Sequence, residues 1–131
     1  MGETVFHWPI RVYFEDTDAQ GVVYFANYLK FAERARTEWL RQLDIESSVI
    51  KSDHLGFVVT RIEADYKGMA HLDDQLVVET MLMDMGASRL VLKQDIKRDG
   101  IALVNTIVHI IVIDTRTQKP VRIPVSWRQR I

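Results

Sequence analysis

The 131-residue chain contains no cysteine. That excludes a disulfide framework, a thiolate zinc site and a cysteine nucleophile together, and a reducing compartment fits such a composition. Charge of one sign is also lacking: 17 basic and 18 acidic residues leave a net charge of −1, so nothing points to nucleic-acid binding. The longest apolar run, Ile107 to Ile113, is short and broken by His109, whereas a membrane helix needs about 20 apolar residues. The opening "MGETVFHWPI" lacks the basic region and apolar stretch of a targeting signal. A cytoplasmic protein with no transmembrane segment is expected. The histidines His7, His54, His71 and His109 show no metal-ligand spacing. There is no internal repeat, low-complexity tract or linker, and the length suits one domain, residues 1–131.

What is present is a core-forming composition, 47% apolar, with a clear order of periodicities. Phe6, Trp8, Ile10, Val12 and Phe14 alternate with other residues and predict a half-buried strand, with Pro9 placing it at a sheet edge. From Asn27 to Leu43, Tyr28, Phe31, Ala32, Ala35, Trp39, Leu40 and Leu43 recur at helical spacing, with no glycine or proline. A polar stretch at 46–55 follows, and then the period drops to two. Val58, Thr60, Ile62, Ala64 and Tyr66 are expected on one strand face, opposite Val59, Arg61, Glu63 and Asp65. "DDQLVVETMLMDMG" and "SRLVLKQDIK" read as two more strands, and Asp99-Gly100 as a hairpin turn. "IALVNTIVHIIVID", nearly continuous in apolar character, predicts a central strand buried on both faces. "TRTQKPVRIP" supplies a turn and a short last stretch. Consecutive strands joined by short turns imply an α+β protein with an antiparallel sheet covered by one helix. One helix cannot cover such a sheet, and surplus apolar surface usually marks an oligomer interface.

Directly before the helix, three acids fall within four residues, Glu15, Asp16 and Asp18, followed by Gly21. Four explanations are open. An acid near a helix start caps free N–H groups, worth about 1 kcal/mol, but needs only one acid. "DTDAQG" begins like a calcium loop, yet Asn27 stands where the bidentate glutamate belongs, and a strand precedes it. A phosphoryl-transferring Asp-x-Asp site usually ends a parallel strand, against the layout here. Finally, a carboxylate can face an electrophile whose oxygen is held by helix N–H groups, with Gly21 permitting close approach. That arrangement suits acyl transfer without serine or cysteine.

The stretch "YFEDTDAQGVVYFANYLKFAERARTEWLR" closely resembles the signature of hot-dog-fold acyl-CoA thioesterases of the 4-hydroxybenzoyl-CoA thioesterase type. Within that group it looks most like the bacterial Tol-Pal-associated acyl-CoA thioesterases. Asp18, Gly21, Val23 and Tyr28 carry the pattern, and the likeness extends over essentially the whole chain. It implies a hot-dog fold, an antiparallel five- to six-stranded sheet wrapped around one long central helix. It also implies edge-to-edge homodimers with sites at their interface, often assembled to a homotetramer. Acyl-CoA would be the substrate, with no cofactor and no metal. Carried over by position, Asp18 matches the catalytic carboxylate, as nucleophile or as base, and the backbone N–H of Phe25 matches the donor to the thioester oxygen. Close relatives usually have histidine where Phe25 stands, and often a small residue where Gln20 stands, which narrows the loop here.

Other candidates accompany these. Tyr24, Asn27 and Tyr28 follow the loop as substrate-binding positions, Asn27 doubling as a cap or an orienting group for Asp18, and Tyr28 as a core aromatic. Thr60 would meet the partner subunit's site or bond to backbone. Ser88, Arg89 and Lys93 begin the strand that resembles the CoA-contacting segment, with Arg89 and Lys93 on one face to hold phosphates or to stay solvated. Glu33 reads as an ion-pair partner. Two other classes fit: a module that binds acyl-CoA or acyl carrier protein with little turnover, and a dehydratase, which would need a histidine that the sequence does not place near the acidic loop.

Overall fold

The N-terminal alternation builds a strand, but a shorter one than its apolar spacing predicts. In the computed structural model, which describes residues 4–45 and 54–131, β1 spans Phe6–Arg11. Phe14 is 79% exposed and opens a 3-10 turn, Phe14–Asp16, so the alternation runs past the end of the strand. The other elements are α1 (Asn27–Gln42), β2 (Leu55–Tyr66), β3 (Gln75–Met85), β4 (Arg89–Arg98), β5 (Ile101–Asp114), β6 (Lys119–Pro120) and α2 (Val125–Arg130). Most of the polar stretch expected at 46–55 lies outside the described residues; Leu55 already belongs to β2.

The six strands form one antiparallel sheet in the order β1-β3-β4-β5-β2, with β6 paired to the end of β5. This is the six-stranded form of the expected sheet, and Pro9 lies in edge strand β1 as anticipated. Asp99 and Gly100, both at positive φ, make the two-residue hairpin between β4 and β5. The predicted helix is found almost to the residue. Its stripe of Tyr28, Phe31, Ala32, Ala35, Arg36, Trp39 and Leu40 is buried. Two apolar clusters result, one around Phe31, Ala35, Leu76 and Ile96, the other around Trp39, Leu40, Leu92 and Val108.

Between them runs a polar row that periodicity alone does not show. Thr80, Gln94 and Thr106 are register partners on β3, β4 and β5, all buried. Gln94 Nε2 donates to Thr80 Oγ1 and to the Ala32 carbonyl, both at 2.9 Å, and its Oε1 accepts from Arg36 Nη1 at 2.9 Å. Arg36, 8% exposed, forms no ion pair among the described residues. Burial lowers its pKa, against the opposing charge of Glu33. Glu33 itself is exposed and makes no ion pair among the described residues, contrary to expectation.

Three further expectations are corrected. Thr60 is the extra residue of a β-bulge: Val59 pairs with Ile110, but Arg61 pairs with His109. The bulge shifts the period by one. Phe57 and Val59 therefore share the inner face with Ile62, Ala64 and Tyr66, while Val58 turns outward with Arg61. β5 is interior to the sheet but buried on one face only, since Ile107, His109, Ile111 and Ile113 remain half-buried outside. The chain ends in a second helix, α2, whose Trp127 stacks on Phe57 at 5.5 Å between ring centroids.

Candidate active site

The three acids of the loop have three different surroundings. Glu15 is exposed beside a cleft of about 280 Å³ that Arg11, Tyr13, Asp16 and Arg34 also line. Asp16 is only 3% exposed. Its Oδ2 accepts the Tyr13 N–H at 2.8 Å, its Oδ1 accepts Asn27 Nδ2 at 3.0 Å, and its backbone carbonyl accepts the Tyr24 N–H at 2.9 Å. Asp16 thus turns both oxygens to protein donors in a buried setting rather than toward an open ion site. Among the described residues, no group of three His, Cys, Asp or Glu is placed to hold a metal ion.

Asp18 is exposed. Its N–H donates to the Val22 carbonyl at 2.9 Å and its carbonyl accepts the Gly21 N–H at 3.0 Å, closing a tight turn. Oδ1 accepts the Gln20 N–H at 2.8 Å. Oδ2 has no hydrogen-bond partner among the described residues. Gly21 sits at φ +79°, with nothing within 4 Å of a Cβ built there. Gly21→Ala is therefore expected to cost only backbone strain, about 1–2 kcal/mol. Urea unfolding checks this, and a loss well beyond that range would mean the turn is packed against a neighbour.

The turn is stitched to the segment before β3. Thr17 bridges Val23, Val22 bridges His71, and the Val23 N–H donates to the Ala70 carbonyl at 2.9 Å. A histidine thus does lie beside the acidic loop, brought there by the fold. Its Nδ1 is 3.8 Å from Asp74 Oδ2, with the side chain 57% exposed. Burial opposes it, but the His71 N–H and the Arg98 guanidinium, 2.7 Å away, hold Asp74 below the usual carboxylate range.

At the start of α1 no side chain caps the helix. Asn27 bonds Asp16 rather than Asp18, so it orients the buried acid's side of the loop. The Asn27 N–H donates to the Tyr24 carbonyl at 2.8 Å. The Phe25 N–H, on the same peptide as that carbonyl, donates no hydrogen bond among the described residues. Tyr66, which sequence reasoning left as a strand residue, donates from its hydroxyl to the Phe25 carbonyl at 3.2 Å and meets the Phe25 ring edge-on. Tyr24 and Phe25 are 48% and 60% exposed. Tyr28 is buried, its hydroxyl accepting the Ala70 N–H at 3.0 Å. Burial raises its pKa, while the Ala70 bond pulls the other way.

The fold brings Asp18, Gly21, Tyr24, Phe25, Asn27 and Tyr28 together, near the end of the sheet where Lys67 and Gly68 bond the Leu103 carbonyl. The remaining candidates are elsewhere. Thr60 donates from Oγ1 to the His109 carbonyl at 3.4 Å, the expected bond to backbone, but it is exposed on edge strand β2 rather than buried. Ser88 lies before β4, where its carbonyl accepts the Val112 N–H. Arg89 pairs with Asp84 at 2.9 Å, and Lys93 with the buried Asp95. Arg89 and Lys93 do share the outer face, opposite Ile111 and Ile107. Arg89 is about 30 Å along β4 from Arg98 at the usual strand rise, and Arg98 is the end of β4 that bonds Met69 and Asp74, on either side of the Ala70–His71 segment that the acidic loop pairs with.

A carboxylate with a free oxygen thus shares one short loop with a helix start whose N–H is free among the described residues. Residues 12–131 match the model of the thioesterase-like superfamily. The chain belongs to the thioesterase-like superfamily. It is similar to the acyl-CoA thioester hydrolase YbgC of Escherichia coli, 40% identical over 127 residues, 96% of this chain and 95% of that one. It is similar also to the acyl-CoA thioesterase YbgC of Haemophilus influenzae, 42% identical over 125 residues, covering 95% and 92%. Among solved structures, a probable thioesterase from Bartonella henselae superposes with a TM-score of 0.87 at 34% identity, covering 92% of this chain and all 100% of that one. The fold is the hot-dog fold of those thioesterases, and the enzyme is a thioesterase.

Proposed function

We propose that this thioesterase hydrolyses acyl-CoA to free acid and CoA, with Asp18 as its catalytic carboxylate and the Phe25 N–H as its oxyanion donor. The observation that carries the reading is the pairing of an exposed carboxylate with an unpartnered helix-start N–H on either side of one short loop. Asp18 takes a proton from water as the water oxygen attacks the thioester carbon, and the carbonyl oxygen gains charge against the Phe25 N–H. When the C–S bond breaks, the sulfur leaves with the electron pair and the proton returns to it as CoA thiol. In the nucleophilic variant, Asp18 attacks first and water then cleaves the mixed anhydride. Gly21 keeps the approach to Asp18 open. Tyr24 and Phe25 present an apolar wall to the acyl group, with Asn27 and Tyr28 behind it.

The reading extends to a dimer formed through edge strand β2, where Val58, Val59 and Tyr66 are 41%, 40% and 45% exposed, and on to a tetramer. In it Thr60, Ser88, Arg89 and Lys93 of a neighbouring copy would reach the substrate, the cations binding CoA phosphates. The proposed chemistry calls on no cofactor or metal, and a cytoplasmic location suits a water-soluble acyl-CoA substrate. An acyl carrier protein is a second carrier for the same acyl group.

The test is thiol release from short, long and aromatic acyl-CoAs by wild type and by Asp18→Asn. Release that depends on Asp18 establishes the reading and reveals the acyl preference. No release from any member of the panel, or release that Asp18→Asn leaves unchanged, overturns it in favour of a binding module.

A further inference from the structure

We infer that Asp16 is a positioning residue for the oxyanion donor, acting through Asn27; this rests on the reading of the Phe25 N–H given above. A carboxylate 3% exposed, with no cation bonded to it among the described residues, is costly to bury. Capping accounts for one oxygen, since Oδ2 closes the 3-10 turn Phe14–Asp16 by accepting the Tyr13 N–H at 2.8 Å, but not for the other, because no side chain caps α1. The bond from Oδ1 leads to one peptide unit. Asp16 Oδ1 accepts Asn27 Nδ2 at 3.0 Å, and the N–H of that same Asn27 donates to the Tyr24 carbonyl at 2.8 Å. The Tyr24 carbonyl and the Phe25 N–H belong to one rigid plane. A trans peptide points its C=O and N–H in opposite directions, so holding the carbonyl inward aims the N–H outward. The Tyr24 N–H is held as well, by the Asp16 carbonyl at 2.9 Å. Asp16 therefore holds the peptide before the donor peptide directly and the donor peptide itself through Asn27, and Tyr66 fixes the carbonyl that follows at 3.2 Å.

The chain of bonds also has an electrostatic sense. The Asn27 N–H on the Tyr24 carbonyl polarises the peptide that carries the Phe25 N–H. The negative charge is kept on the buried side of the peptide, away from the position where thioester oxygen charge would develop. Of two acids two residues apart, one serves chemistry and the other serves geometry, and burial separates them.

Asp16→Asn keeps one acceptor oxygen but turns an NH2 against either the Asn27 amide or the Tyr13 N–H, and Asn27→Ala deletes the other end of the same bond. Each is expected to lower kcat about ten- to a hundredfold, with KM within about twofold of wild type, as loss of a placed donor or a misplacement of about 1 Å does. If both act through one bond, the double variant is no slower than the worse single variant. Asn27 is half-buried at the helix start, so Asn27→Ala reports even if Asp16→Asn does not fold. Asp18→Asn is assayed beside them. If it abolishes turnover while Asn27→Ala keeps wild-type kcat, the positioning role is overturned and the thioesterase mechanism stands. Equal effects on kcat and KM, or losses that multiply in the double variant, also overturn it. If wild type releases no thiol from any acyl-CoA, the mechanism and the positioning role fall together.

Discussion

Asp18→Asn is expected to slow acyl-CoA hydrolysis by at least about a hundredfold, within the range of about 10²–10⁴ that a positioned general base contributes. The substitution is nearly isosteric, and an asparagine Oδ1 still accepts the Gln20 N–H that Asp18 now binds at 2.8 Å. The turn is otherwise closed by backbone groups, Asp18 to Val22 and Gly21 to Asp18. Stability should therefore stay within about 0.5 kcal/mol of wild type, as for exposed positions without a special role. The loss should fall on kcat rather than KM, because a base acts in the transition state and the oxyanion donor is untouched. Stopped-flow or continuous thiol detection on the best acyl-CoA measures it. A variant that retains more than about a tenth of wild-type kcat would assign the chemistry to another group, and His71, bridged to the loop through Val22, would be the next residue to test.

Gln94→Leu should be the most damaging single change to the fold, at about 3–5 kcal/mol. Leucine matches the volume, so the loss is electrostatic rather than steric. Gln94 is fully buried and answers three groups at once: Arg36, Thr80 and the Ala32 carbonyl. Without its Oε1, a guanidinium that is 8% exposed keeps its charge with no other hydrogen-bond partner among the described residues. Equilibrium urea unfolding, read as a midpoint shift at constant slope, measures the cost. Adding Arg36→Met should recover much of it, since a buried charged or polar pair can be replaced by apolar side chains far more cheaply than it can be halved. A single variant that loses less than about 1 kcal/mol would mean that Arg36 rotates to water.

How much of this is legible in the sequence depends on the range of the interactions concerned. The helix is legible because its stripe is local: residues three and four apart face the same way whatever surrounds them. The hairpin at Asp99-Gly100 is legible because positive φ is a property of two adjacent residues. The phase of β2 is not, because a bulge at Thr60 is imposed by pairing with β5 and leaves no mark on the apolar pattern. Phe14 misled for a related reason, since alternation continues past the last residue that finds a partner on β3. The helix α2 carries too few apolar positions to be read, and forms because Trp127 has Phe57 to stack on.

The sequence by itself determined the class of this protein: one amphipathic helix, a run of antiparallel strands, and an acidic loop before the helix whose pattern resembles a thioesterase signature. It also excluded cysteine-based chemistry. The resemblance singled out Asp18, but only the tertiary structure showed that Asp16 and Asp18, chemically identical and two residues apart, have opposite surroundings. Their difference is burial, and burial is set by groups distant along the chain: Asn27 closing over Asp16, and the Ala70–His71 segment lifting Val22 and Asp18 to the surface. Periodicity reports which way a side chain faces, while its solvent exposure and hydrogen-bond partners depend on what the rest of the chain brings to it.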